Sequence, residues 1–247
     1  MKSIPIRIQA QVKIGHANPR TIGLSDKIVL ERLPKPRIAL IVEKGFPVAT
    51  NDTHPLFKAA SALMKYAKGQ GARIRITKNI PPNKGLGSTA SAIAKLIPAL
   101  NRLWGLSFSD HRLAEIARKA LPDFWSDDKH LDFCQWSTVK GQRSKVKYFS
   151  VIAIPRLITI DRAWMKAETH SESAESVAFS HFPDLITIRD GLKKAGWKQV
   201  GLSGHVGLDR IVAGFGPAIV GFAEKRIPRT KIPKSILRKL DFLWIGC

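Results

Sequence analysis

The sequence predicts an α+β protein of one or two domains, on three observations. Stretches of alternating apolar residues, which are typical of half-buried strands, occur along the whole chain. Segments with apolar residues at helical spacing lie between them, without the strict strand–helix repeat of a parallel α/β sheet. The chain has 247 residues, of which 44% are hydrophobic, and a chain of this length can bury one large core or two smaller ones.

The first half of the chain contains strands and helices in mixed order. Apolar side chains alternate with polar ones from residue 4 to residue 14, which predicts the first strand. Further strands are predicted over 27–32, 37–42 and 72–77, and helices over 54–67, 88–104 and 109–120. Pro98 lies inside the second helix, and we expect a kink or an interruption there because proline lacks the amide hydrogen.

The second half of the chain predicts fewer elements. Strands are expected over 148–154, 200–203 and 218–222, and a helix over 182–195. The stretch 225–239 contains seven lysines and arginines, no acidic residue and two prolines. This composition predicts a basic surface arm, whose simplest interpretation is a solvated charged face.

The charge of the chain is its strongest bulk property. Lys and Arg total 41 against 19 Asp and Glu, so the net charge is +22. Such an excess favours phosphate-bearing partners, whether nucleotides, nucleic acids or acidic lipids, although a general bias toward solubility would explain it equally well. There is no apolar run long enough to cross a membrane and no signal-like apolar segment near the N-terminus. With only two cysteines, we expect a cytoplasmic protein without membrane contact.

A glycine-rich loop between a predicted strand and a predicted helix is the clearest chemical motif. Gly85 and Gly87 permit positive φ angles, and Ser88 and Thr89 stand at the start of the helix, where free amide groups attract anions. The hydroxyl groups are placed to bind phosphate or a magnesium ion. The loop does not end in the Gly-Lys-Ser/Thr of a Walker A motif, and a plain strand-to-helix turn with a capping serine is the alternative.

These residues carry a resemblance to a known family. Residues 79–92 resemble the phosphate-binding motif of the GHMP kinases, which include galactokinase, homoserine kinase and mevalonate kinase. Residues 10–14 and 53–60 resemble two N-terminal segments of the family, and 182–185, 192–196 and 202–204 resemble its C-terminal domain. Within the family, 78–81, 100–107 and 113–117 are most similar to the 4-diphosphocytidyl-2-C-methyl-D-erythritol kinases.

The resemblance implies a two-domain α+β GHMP kinase fold. An N-terminal domain of the ribosomal protein S5-like type, which binds ATP, is expected over 1–145. A ferredoxin-like C-terminal domain that ends in the basic stretch is expected over 146–247.

The resemblance also implies the reaction and the residues that carry it. An ATP- and Mg²⁺-dependent kinase would phosphorylate a substrate hydroxyl, with 4-diphosphocytidyl-2-C-methyl-D-erythritol of non-mevalonate isoprenoid synthesis as the expected acceptor. Lys13 and Asp123 fall on the family's catalytic lysine and aspartate. The expected nucleotide-binding residues are Pro82, Lys84, Gly85, Leu86, Gly87, Ser88, Thr89 and Ala90, with Ser88 also as a magnesium ligand. The expected partner is a phosphorylated small molecule, and the protein would be a monomer or a homodimer.

The sequence departs from the family pattern at several places. Residues 16–20 do not match the segment that holds the cytidine, and the C-terminal glycine motif is split between 202–204 and 214–218. Another alcohol or phosphate monoester therefore remains an alternative acceptor. A degenerate kinase that binds nucleic acid is a further alternative, since the charge of +22 suits a phosphate backbone.

Overall fold

A computed structural model describes residues 3–12, 20–122, 148–158, 160, 174–203 and 216–246. These residues form two compact units, each with its own sheet and core. The first unit takes the described residues of 1–10, 24–82 and 88–140, and the second takes those of 11–23, 83–87 and 141–247. The expected domain boundary at residue 145 lies outside the described residues. The short segment 83–87 groups with the second unit although both of its flanks group with the first.

The first sheet has four strands in the order β1-β2-β4-β3. The strands are β1 (Ser3–Val12), β2 (Arg20–Leu33), β3 (Ile38–Gly45) and β4 (Gly71–Lys78). β4 pairs antiparallel with β2, with Ile28 opposite Ile76, and parallel with β3. Alternate residues of β4 are buried because one face of the sheet packs on helices, as the period of two in the sequence predicts.

The described residues of the first unit form three helices. They are α1 (Pro55–Met64), α2 (Ser88–Leu103) and α3 (Asp110–Ala120). Ser109 caps α3 by accepting the amide hydrogen of Arg112. The interruption that Pro98 could have caused does not occur, because α2 continues through the proline to Leu103. The burial of nearly every apolar side chain of α2 compensates for the missing hydrogen bond.

The second unit contains a four-stranded antiparallel sheet. Its strands are β5 (Phe149–Pro155), β6 (Lys198–Leu202), β7 (Ile219–Ala223) and β8 (Leu240–Gly246), in the order β6-β7-β5-β8. Its helices are α4 (Ala174–His181), α5 (Pro183–Lys194) and the single turn α6 (Lys234–Leu237). If α4 and α5, which both lie between β5 and β6, are taken together, the order of the described elements and of the strands is that of the β-α-β-β-α-β ferredoxin-like domain.

Each unit is held by a separate hydrophobic core. The first core lies between the sheet and helices α1, α2 and α3, and includes Leu63, Ile74 and Leu96. The second lies between β5–β8 and α4–α6, and includes Leu185, Trp197 and Ile219. The buried faces follow the predicted apolar periodicities, which is why most elements could be anticipated.

Three features of the described residues were not anticipated. α4 has almost no amphipathic pattern, and β8 follows directly on the basic stretch, so neither gave a clear sequence signal. β2 begins at Arg20, seven residues before the predicted strand. In the part of the chain that the structure describes, no helix is long and apolar enough to cross a membrane.

Candidate active site

The glycine-rich loop leads into α2 as the sequence predicts. Gly85 and Gly87 both have positive φ angles, +76° and +61°, which few residues other than glycine adopt readily. α2 begins at Ser88, and its first turn contains no acidic residue. The free amide groups at this end of a long helix therefore face no carboxylate from their own turn, which suits an anionic ligand.

Ser88 is held by a buried lysine at the end of β4. The ammonium group of Lys78 donates a hydrogen bond to the Ser88 hydroxyl oxygen at 3.1 Å. Both side chains are almost fully buried, with 7% and 8% of their residue surfaces exposed. Because the lysine fixes the hydroxyl oxygen, the hydroxyl hydrogen of Ser88 points away from it and can donate to a ligand.

Asp26 on β2 balances the charge of Lys78. Its carboxylate accepts from the Lys78 ammonium at 2.6 Å and from the backbone amides of Asn79 and Ile80 at 2.7 Å each. Burial lowers the pKa of Lys78, and the attraction of Asp26 opposes part of that change. Asp26 therefore ties the chain that leaves β4 to the lysine that holds Ser88.

His54 lies at the beginning of α1, within the electrostatic reach of Lys78. Its Nδ1 accepts the amide hydrogen of Leu56 at 3.1 Å, so the side chain caps the helix in its neutral form. Burial first, and the positive charge of Lys78 second, lower the pKa of His54 to about 4. The imidazole is therefore neutral at pH 7, with its other ring nitrogen carrying the hydrogen.

Two other residues of the second unit contact the loop segment 83–87. The hydroxyl of Ser203 donates to the carbonyl oxygen of Gly85 at 2.8 Å, and Ser203 is fully buried. Gly216 lies so close to this segment that a Cβ added to it would be 2.3 Å from the carbonyl carbon of Lys84. Ser203 and Gly216 belong to the two halves of the split C-terminal glycine motif, and the structure brings both halves to the loop.

A second hydroxyl lies one turn into α2. Ser91 is 1% exposed, and its Oγ has no hydrogen-bond partner among the described residues. It follows Ser88 by three residues, so the two lie on the same side of the helix. Ser91 was not predicted as a site residue, because a serine inside a helical pattern carries no signal of its own.

The structure describes the predicted nucleotide-binding residues but not the predicted catalytic pair. The loop residues 84–87 lie in the second unit, and Pro82, Ser88, Thr89 and Ala90 lie in the first, as a continuous strand–loop–helix segment. Lys13 and Asp123, the predicted catalytic pair, lie outside the described residues. The structure adds Asp26, Lys78 and His54, whose only sequence signal was position: each stands next to a predicted strand, loop or helix boundary.

The described residues offer few ligands for a resident magnesium ion. They contain no cluster of three or more histidine, cysteine or acidic residues. Among the residues that the structure describes, the only carboxylate with a hydrogen bond to the same lysine is that of Asp26, whose oxygens already accept from Lys78 and two amides. The hydroxyl oxygen of Ser88 could serve as one ligand of an ion that keeps most of its water.

The chain is similar in sequence to known kinases. Residues 55–132 match the family described as GHMP kinases N terminal domain. A 4-diphosphocytidyl-2-C-methyl-D-erythritol kinase of Lactiplantibacillus plantarum is 35% identical over 119 residues, which are 47% of this chain and 38% of that enzyme. The kinase of the same name from Ligilactobacillus salivarius is 23% identical over 87% of this chain and 82% of its own length. The stronger alignment thus spans well under half of the relative.

Solved structures resemble the whole chain. A 4-(cytidine 5'-diphospho)-2C-methyl-D-erythritol kinase superposes with a TM-score of 0.66 at 18% identity, over 99% of this chain and 97% of that one. The mevalonate kinase of L. major, in complex with R-mevalonate, superposes with a TM-score of 0.62 at 14% identity, over 96% and 94% of the two chains. The chain therefore has the two-domain α+β fold of the GHMP kinases, and its residues 55–132 are similar in sequence to their N-terminal domain.

Proposed function

We propose that this protein is an ATP-dependent kinase of the GHMP type that transfers the terminal phosphoryl group of ATP to a hydroxyl of a small molecule. The observation that carries the proposal is the loop that precedes α2. The two loop glycines have positive φ angles, and Ser203 donates a hydrogen bond to the carbonyl oxygen of Gly85. The helix that follows begins at Ser88, whose hydroxyl oxygen accepts a hydrogen bond from Lys78. A phosphate-binding role explains why so many groups hold one short segment.

The protein's own part in the reaction is binding, orientation and electrostatics. The amide groups at the start of α2 and the hydroxyls of Ser88 and Thr89 would hold the phosphates of ATP. We further propose that Asp123 accepts or orients the substrate hydroxyl and that Lys13 keeps this carboxylate ionised, as the family resemblance implies. Mg²⁺, bound through the phosphates, would supply neutralisation of their charge.

The acceptor we propose is 4-diphosphocytidyl-2-C-methyl-D-erythritol, which would place the protein in non-mevalonate isoprenoid synthesis. The support is the name shared by the relatives from Lactiplantibacillus plantarum and Ligilactobacillus salivarius and by a structural neighbour. The residues 16–20 do not match the cytidine-holding segment of those kinases, so the acceptor deserves a direct comparison with other alcohols.

The test is ATP consumption by the purified protein with Mg²⁺ and each of several acceptors. The panel contains 4-diphosphocytidyl-2-C-methyl-D-erythritol, mevalonate, homoserine and galactose. We expect turnover that depends on the first of these and that Asp123→Asn lowers by at least about a hundredfold, because the loss of a general base costs on the order of 10²–10⁴ in rate.

The outcomes distinguish the type of reaction from the identity of the acceptor. Turnover with another alcohol of the panel would keep the kinase and replace the acceptor. A folded protein that neither binds ATP nor consumes it with any of the four would contradict the kinase proposal. Asp110→Asn, an exposed carboxylate in the first turn of α3, is the matched control and should leave turnover unchanged.

A further inference from the structure

We propose that residues 225–239, here named the basic ledge, form a binding surface for the phosphate backbone of nucleic acid. This inference concerns the second unit alone and does not depend on the kinase reaction. The sequence predicts a surface arm, whereas in the structure this segment is fixed to the core of the second unit by buried isoleucines.

Three isoleucines fasten the basic ledge to the protein. Ile227, Ile232 and Ile236 are all buried and belong to the core of the second unit. The segment also contains a 3₁₀ turn, Arg229–Lys231, and the helical turn α6, each closed by backbone hydrogen bonds. A cationic segment held in this way loses little conformational entropy when it binds a partner.

The ledge runs antiparallel to α5. Ile227 lies beside Gly196, just after the helix, and the side chain of Ile236 fills the space where Gly191 has no Cβ. Farther along, the ammonium of Lys239 pairs with the carboxylate of Asp184 at 2.5 Å. The ledge therefore has a defined direction along one edge of the unit.

The charges on the ledge point to solvent and lack acidic partners. Six of its basic side chains are exposed, and none of them forms an ion pair with a described residue; they are Lys225, Arg226, Arg229, Lys231, Lys234 and Arg238. Ionic partners are present for other cations of the same unit, such as Arg189 with Asp190. The ledge thus presents six exposed cations within fourteen residues, none of them neutralised by a described carboxylate.

The end of α5 extends the same surface. Lys193 and Lys194 are exposed in its last turn, next to Gly196 and hence next to the Ile227 end of the ledge. Their positive charge is felt by Asp190, whose pKa is lowered chiefly by its hydrogen bond with Arg189 and in smaller part by these two lysines. The surface has cations from two elements rather than one run of sequence.

The ledge exposes no large hydrophobic side chain, which favours nucleic acid over a membrane surface or a protein partner. Membrane-surface segments insert apolar side chains, and protein interfaces usually have an apolar or aromatic centre. The large hydrophobic residues exposed among the described ones are Ile41, Tyr66, Tyr148 and Leu157, and none belongs to the ledge. A surface with several cations and no apolar contact suits a chain of phosphates, where counterion release supplies the binding energy.

The test must separate this surface from the overall charge of the protein, because any protein of net charge +22 binds nucleic acid weakly at low salt. The ledge variant changes its six exposed cations to glutamine. The control variant removes the same number of charges from exposed positions in the first unit, namely Lys35, Arg37, Lys65, Lys68, Arg102 and Lys119. A fluorescent 20-nucleotide single-stranded RNA and a DNA duplex of equal length are titrated by anisotropy over a series of salt concentrations.

If the ledge binds the phosphate backbone, the slope of log K against log salt for the RNA becomes less negative by about 4 in the ledge variant. The reason is that each phosphate contact on a single strand contributes about −0.7 to the slope. The control variant should change this slope by less than about 1. A triple variant of Arg229, Lys231 and Lys234 should give about half the full effect, which guards against misfolding of the larger variant. Equal slopes in the ledge and control variants would overturn the proposal, and so would tighter binding to polyglutamate or anionic vesicles than to either nucleic acid.

Discussion

Lys78 loses most of its hydration at the end of β4, and the carboxylate of Asp26 at 2.6 Å compensates for that loss. Replacing only one member leaves the other charged and unpaired in a buried position. We expect Lys78→Met to lower the free energy of unfolding by about 3–5 kcal/mol. Urea unfolding followed by circular dichroism at pH 7 measures this.

The control for this prediction keeps the hydrogen bonds and removes the charge. Asp26→Asn retains an oxygen that can accept from the amides of Asn79 and Ile80. The double variant Lys78→Met/Asp26→Asn should therefore be more stable than Lys78→Met alone by at least about 1 kcal/mol. If the double variant were as unstable as the single one, the loss would come from packing rather than from the uncompensated carboxylate.

His54 makes stability depend on pH in a defined range. Its pKa is lowered from 6.5 to about 4 in the folded state. Between pH 6.5 and pH 4 the imidazole is therefore protonated in the unfolded chain but neutral in the folded one. The contribution of His54 to the free energy of unfolding is fully present above pH 6.5 and is lost as the pH drops toward 4. The expected contribution between pH 7 and pH 4 is about 3 kcal/mol, because each pKa unit corresponds to about 1.4 kcal/mol.

His54→Asn isolates this contribution, because asparagine can cap α1 in the same way but does not titrate. Carboxylates elsewhere also titrate over this range, so the quantity to measure is the difference between the two proteins at pH 7, 5.5 and 4. We expect the variant to lose less stability on acidification than the native protein. Parallel curves would show that the imidazole is not the group responsible.

At the scale of elements, the glycine loop depends on contacts that the second unit supplies. Ser203→Ala removes the donor to Gly85, and a lost hydrogen bond of about 1 kcal/mol corresponds to roughly a fivefold rise in KM for ATP. Gly216→Ala should raise KM more than Ser203→Ala does, because its Cβ would overlap the backbone at Lys84 and Gly85. Steady-state kinetics at a saturating acceptor measures both values.

Gly105→Ala is the control for these two substitutions. Its Cβ would meet no atom within 4 Å, although its φ of +66° makes the substitution mildly destabilising. We expect lower thermal stability with an unchanged KM for ATP. A rise in KM equal to that of Gly216→Ala would mean that global destabilisation, and not the loop, controls nucleotide binding.

The sequence predicted elements wherever burial repeats at a fixed period. β4 and α2 could be found in this way because one face of each packs on the first core. α4 was missed because its apolar residues show little helical periodicity. Pro98 gave a misleading signal, since a local rule about one missing hydrogen bond competes with the burial of a whole helix.

The candidate site was predicted in part for a related reason. The loop and the hydroxyls of Ser88 and Thr89 are contiguous in sequence, so local chemistry reveals them. Asp26 and Lys78 are 52 residues apart, and only the antiparallel pairing of β2 with β4 brings them together. Ser203 reaches Gly85 across 118 residues, a contact that no local pattern encodes.

On the scale of the whole molecule, repulsion among like charges should outweigh attraction between unlike ones. With 41 basic and 19 acidic residues, most cations have no anion to pair with, and surface pairs among the described residues, such as Arg73–Glu31, are partly exposed. Salt screens repulsion and attraction alike, so its net effect on stability takes the sign of the larger one. We expect the free energy of unfolding to rise as NaCl increases from about 20 to 200 mM, over which the Debye length shortens from roughly 20 Å to below 10 Å.

The six-charge ledge variant tests where that repulsion originates. If unpaired cations on residues 225–239 repel one another, neutralising them raises stability at low salt and flattens the salt dependence. The control variant in the first unit, with the same net charge, should flatten it less because its positions are scattered over several elements. Thermal unfolding of the three proteins at low and high salt decides this. A native protein whose stability falls as salt is added would show instead that attractive pairs such as Arg75–Glu31, at 2.6 Å, dominate its electrostatics.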